Sequence, residues 1–202
     1  MDQFGGNMKD KIYEAYKNKD KKSFDRIINN LSNIYHDSDS FRIVDMCNDF
    51  DITCGEQRLS DDVTSYGGFN SDISNKYNTD KFIIVSNSIG LKKQRMHFAY
   101  HFFQYVLNNK EENYEVIKNI YTNRACYENA CNLLLPEKRF LKDYNMLTKF
   151  YGMEHLAIME LSDKYLVPYD DVKNRIVKLL MKRDNKKIKI IINRKSKCPK
   201  RV

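Results

Sequence analysis

The 202-residue chain is 42% hydrophobic and 12% aromatic, enough to bury one substantial core and too short for two full-size domains. Its formal charge of +8 is unevenly placed, because residues 182–202 carry ten Lys or Arg against the single acid Asp184, which leaves residues 1–181 at about −1. No stretch reaches the run of about 18 apolar residues that a membrane span needs, and the N-terminal MDQFGGNMKDKIYEAY has no apolar signal-peptide core; the expectation is a cytoplasmic protein without a membrane partner.

In chain order, Ile12, Tyr16, Phe24, Ile27, Ile28, Leu31, Ile34 and Tyr35 recur at three and four, predicting helix over 8–36 with the polar run 17–22 as a turn or solvated face. Ser40 is placed to cap a short helix carrying Phe41, Val44, Met46 and Cys47, followed by a strand near Ile52–Cys54. Residues 55–80 are rich in Gly, Ser, Asn and Asp, with β-like pieces near Val63–Phe69, and Lys81–Val85 (KFIIV) is the clear apolar strand. A helix opened by Ser88 or Gly90 then carries Met96, Phe98, Ala99, Phe102, Phe103, Val106 and Leu107, a pattern wide enough for burial on most sides. A second long helix is predicted from about Tyr114 to Leu135, stopped by Pro136; short helices follow near Phe140, at Glu154–Tyr165 and at Tyr169–Met181. This is an α+β pattern, three to five helices behind a small sheet. The five cysteines form no CxxC pair and read as small buried or incidental thiols.

Zinc peptidases present two His at i and i+4 from one helical face, a Glu beside the first as general base, and a third ligand from a later helix. Gln94–Leu107 (QRMHFAYHFFQYVL) resembles the segment QRFTIAHELGHYLL of the ImmA/IrrE family, bacterial and phage metallopeptidases that cleave helix-turn-helix repressors. Gln94, Arg95, Ala99, Tyr105 and Leu107 fall in step with it, and KFIIVSNS looks like the strand that precedes the family's motif. Arg124–Leu141 (RACYENACNLLLPEKRFL) is similar to the family's ExxANxFAxxLLMPxxxF, and HLAIMELSDKYLVPYDDVKNRIVKL looks like its closing helix pair. The resemblance covers roughly Phe41 to Leu180. It implies a small twisted sheet packed against a mainly helical zincin-like metallopeptidase scaffold at residues 39–181, with a helical extension at 1–38 and a basic tail at 182–202.

Carried over residue by residue, the resemblance places Tyr100 at the first ligand His, His101 at the general base, Gln104 at the second His and Ala125 at the acidic third ligand. Tyr and Gln are poor zinc ligands beside imidazole and carboxylate, which implies a catalytically inactive relative with no cofactor. The expected function is then the holding of a protein partner, a transcriptional regulator or a host factor, in a phage or mobile-element setting. One alternative is a displaced metal site. His97 and His101 are four apart, and if the two long helices run antiparallel, as in related peptidases, Glu128 would come opposite them; this would give a divergent zinc-dependent peptidase with His97, His101 and Glu128 as ligands. Phe98 stands where a base would be needed, so such a site would bind metal more readily than it would hydrolyse peptides. A second alternative is salt-sensitive nucleic-acid binding through residues 182–202, against which stands a solvated extension with Ile188–Ile192 as an added edge strand. Within 154–180, Lys173, Arg175 and Lys178 supply few cations for groove reading by a helix-turn-helix.

Overall fold

A computed structural model describes residues 2–36, 40–69, 81–108, 115–117 and 122–195. The polar run at 17–22 does separate two helices, α1 (Asp2–Lys17) and α2 (Lys21–Tyr35); Asp20 caps α2, its carboxylate accepting from the Ser23 amide at 3.0 Å. Helix α3 (Ile43–Asp49) starts after Arg42 rather than at Ser40, and no side chain caps it. The strand β1 (Thr53–Gln57) follows, then β2 (Ser65–Phe69) and β3 (Lys81–Ser86).

The sheet order is β1-β3-β2-β4, with β3 parallel to β1 and antiparallel to β2. As the inner apolar strand, β3 buries Phe82, Ile83, Ile84 and Val85, which is why KFIIV is a continuous apolar run instead of an alternating one. The fourth strand, β4 (Glu115–Ile117), pairs antiparallel with β2 from Ser65↔Ile117 to Gly67↔Glu115. It lies where the sequence predicts the start of a helix at Tyr114. The β-branched pair Val116-Ile117 joins the open side of β2, and the helix begins only after Asn123, whose side chain caps it through the Cys126 amide at 3.1 Å.

Helix α4 (Leu91–Asn108) lies across β2 and β3 and is the centre of the molecule. Met96, Phe98, Ala99, Tyr100, Phe102, Phe103, Val106 and Leu107 are all buried. Removing side chains of the Phe102 and Phe103 size from water stabilises the fold by roughly 1.5–3 kcal/mol each. Around α4 pack α1, α3 and α5 (Arg124–Leu134), while α2 leans on α5. Ile12 of α1 and Leu31 of α2 are fully buried in the same cluster as the α4 phenylalanines, so the two N-terminal helices share the core.

Helix α6 (Glu137–Tyr151) is a full fifteen residues, not a short piece near Phe140, and ends at Gly152, whose φ of 65° suits a residue without a Cβ. Helix α7 (Glu154–Tyr165) packs against α6, and α8 (Tyr169–Lys195) packs against α7. Helix α8 does not stop at Met181. Residues 182–195 continue it, correcting the expected edge strand at Ile188–Ile192, because no Gly or Pro interrupts a segment that is mostly Lys, Arg and Ile. The architecture is α+β and mainly helical. Among the described residues no helix is long and apolar enough to cross a membrane.

Candidate functional site

The polar centre of the fold lies where α4 crosses β2. Side chains alternate along a strand, so Ser65 and Gly67 share the face of β2 turned to α4. His97 and His101, one turn apart, share the helical face above them. The Ser65 hydroxyl lies 2.6 Å from Nδ1 of His97 and 2.9 Å from Nε2 of His101. A serine carries one proton, so with both rings neutral it donates to one imidazole and accepts the N–H of the other. Ser65 is fully buried, and His97 and His101 are only 6% and 3% exposed.

Burial sets the charge of both rings. It pushes His97 down to about 4, helped by Lys93, and His101 down to about 3, helped by His97 and opposed by a hydrogen bond to Gln104. Two neutral imidazoles bridged by a hydroxyl form a satisfied polar clamp between helix and sheet. Ser65 has no route to a substrate, so its proximity to two histidines does not make it an activated nucleophile.

Gly67 makes this closeness geometrically allowable. A Cβ on it would stand 3.0 Å from Nδ1 of His101 and 3.2 Å from the Phe82 carbonyl oxygen. Gly67→Ala is therefore expected to cost about 1–3 kcal/mol in urea unfolding, as overpacking of a filled core does. An unchanged midpoint would mean that the helix and strand separate freely there.

The residues that the sequence resemblance sets at ligand positions are also engaged. The Tyr100 hydroxyl is 2.9 Å from Thr122 Oγ1 and accepts the Asn123 amide at 3.0 Å, which ties α4 to the residues just before α5. Gln104, one turn further along α4, is buried and bonded to His101. Ala125 lies half-buried in the first turn of α5, two residues after the amide that Tyr100 receives. The structure thus brings Tyr100 close to the start of the helix that carries Ala125.

It does not bring Glu128 to the histidines. Glu128 pairs with Lys178 of α8 at 2.8 Å and with Arg124 at 3.0 Å. Burial raises its carboxyl, but these two cations outweigh that and hold it below its usual range. His97 and His101 converge on Ser65 without a third donor of the kind a zinc site needs, and among the described residues no three His, Cys, Asp or Glu side chains are grouped to hold a metal.

Between α5 and α8 opens a cavity of about 370 Å³, which the sequence reading does not anticipate. Tyr127 and Cys131 form one wall, Asn174 and Arg175 the other, and the Glu128–Lys178 pair lies beside them. Tyr127 donates its hydroxyl to Asp171 at 2.6 Å, and burial pushes the Cys131 thiol up to about 12, so the thiol stays protonated. Lys173, Arg175 and Lys178 read in sequence as the sparse cations of one helix; in space Arg175 turns inward and is 7% exposed, whereas Lys178 bonds across to α5. No family model matches the chain, and no curated protein matches it in sequence.

Proposed function

We propose that the chain is a catalytically inactive metallopeptidase-like protein of the ImmA/IrrE type that acts by holding a protein partner, a transcriptional regulator or another host factor. The observation that carries the first half is the engagement of the ligand positions. Tyr100 is locked to Thr122 and Asn123, Gln104 to His101, and Ala125 offers no donor atom. A metal at that place would have to break a buried network of hydrogen bonds, and leaving such groups unpaired costs about 1–3 kcal/mol each.

Support for a binding role comes from α6 and the turn after it. Met146 and Phe150, one turn apart on the same face of α6, are 54% and 79% exposed, and Met153 beyond Gly152 is 55% exposed. Large apolar side chains grouped on a surface mark contact sites, and methionine adapts to irregular partners. A photo-crosslinking amino acid at position 150 is expected to give one discrete protein adduct in the cells that make the chain, lost when Met146 is changed to Asp. The same residue at Asn29, exposed on α2, is expected to give none. No adduct at 150, or the same adducts from 29, would overturn the partner-binding reading.

A further inference from the structure

The wall of the cavity between α5 and α8 contains a buried cation that, among the described residues, no carboxylate contacts. Arg175 is more than nine-tenths buried, yet among the described residues its one hydrogen bond is from Nε to the Leu135 carbonyl oxygen at 3.3 Å, at the C-terminal end of α5. Among the described residues no carboxylate stands within ion-pair distance of it. The carboxylate that lines the cavity, Glu128, already takes Lys178 and Arg124. Burial pushes the guanidinium below its ordinary range, against the opposing pull of Cys131, Glu137, Glu128 and Asp25, none of them in ion-pair contact with it. Arginine has five N–H donors in a planar fork, and a fork with one donor engaged and an open cavity beside it is matched to an oxyanion.

The charge count narrows the ligand. Arg124, Arg175 and Lys178 bring three positive charges to the cavity, against Glu128 on its wall and the Asp171 carboxylate that Tyr127 bonds, a surplus of one. A phosphate offers three oxygens to Arg175, Lys178 and the Asn174 amide together, whereas a carboxylate offers two. The volume of about 370 Å³ lies in the range of small-molecule sites and leaves room beyond an anionic head; the ring of Tyr127 and the protonated Cys131 thiol offer an apolar wall to whatever carries it. Asn174, on the same wall as Arg175, adds an amide that can donate to a third oxygen.

We infer that this cavity is a binding site for a small phosphate monoester, with Arg175 as the fork that grips the phosphate and Lys178 and Arg124 as the cations at its mouth. The site lies away from the Ser65–His97–His101 clamp and does not depend on the partner-binding reading above. Glu128 then has a role of its own: it holds Lys178 and Arg124 in place while the cavity is empty.

The test is isothermal titration of the full chain with phenyl phosphate, inorganic phosphate and benzoate at matched ionic strength. Phenyl phosphate is expected to bind most tightly, inorganic phosphate more weakly and benzoate least, with affinity falling as salt is added. Arg175→Met, which replaces a buried charge by an apolar chain of similar length, is expected to weaken phenyl phosphate by roughly tenfold or more, and Arg175→Lys to recover only part of it. Should Arg175→Met fail to fold by circular dichroism, Lys178→Met, at a half-exposed position, is expected to weaken binding several-fold in an intact fold. No binding of phenyl phosphate at millimolar concentration, equal binding of benzoate, or unchanged binding in folded Arg175 and Lys178 variants would each overturn the assignment.

Discussion

Lowering the pH from 7 to 5 is expected to remove about 2 kcal/mol of unfolding free energy for each of His97 and His101, at 1.36 kcal/mol per pH unit below the unfolded-state value. The sign follows from burial. In the unfolded chain both imidazoles take up a proton as the pH falls through 6.5, whereas in the folded chain they stay neutral down to about 4 and about 3. Between those limits the unfolded state binds more protons, so acid draws the equilibrium toward it. The stabilisation is fully present above 6.5 and is lost progressively as the pH approaches the folded-state values. Protonating the ring that accepts the Ser65 proton would also remove that bond, since an imidazolium has no lone pair to accept it.

Urea unfolding at pH 7 and pH 5 measures the effect, and His97→Gln/His101→Gln isolates it. The double variant starts less stable, because the clamp to Ser65 is gone, but its stability is expected to change far less over that interval. Equal losses in both proteins would mean that the histidines are not held neutral by the fold. The carboxylates common to the two proteins cancel in the comparison.

The α4 helix and the β3 strand were legible because each is written in local periodicity. Met96, Phe98, Ala99, Phe102, Phe103, Val106 and Leu107 surround a helix that is buried on most sides, and KFIIV has no polar interruption. The break between α1 and α2 was equally plain, since six consecutive polar residues cannot extend a buried stripe. What could not be read depends on partners distant in sequence. Residues Glu115–Ile117 form a strand only because β2, fifty residues earlier, offers them an open edge. The clamp is of the same kind. Ser65 is 32 residues from His97 and 36 from His101, and only the register of β2 against α4 makes them neighbours. A signal did exist in the small residues at Ser65 and Gly67, two apart on one strand face, but nothing local says that two imidazoles lie above them. Arg175 reads in the sequence as one cation among three, and its inward turn is set by how α8 packs.

The displaced site shows where sequence spacing stops being sufficient. His97 and His101 do share a helical face, as four-residue spacing requires, but that face meets the sheet, and the Glu128 face of α5 meets α8. Two helices in contact bring only some of their faces together, and spacing along each says nothing about which.

The proposed register has a sharper consequence than absence of activity. If Tyr100, Gln104 and Ala125 occupy the places of two histidines and an acid, then restoring those residue types should restore a metal site, and a tetrahedral zinc site stabilises by far more than any single contact removed to make it. The nearness of the Tyr100 hydroxyl to the amide two residues before Ala125 supports this geometry. Tyr100→His, Gln104→His and Ala125→Glu together leave His101 and its bond to Ser65 in place, so the clamp continues to hold α4 to the sheet. The most direct measurement is zinc per chain, by mass spectrometry of metal after dialysis of untagged protein against trace zinc, on the wild type and on this triple variant with its helicity checked. The register predicts about one zinc per triple-variant chain and only background on the wild type; a wild-type chain that keeps one zinc, or a folded triple variant that keeps none, would contradict it.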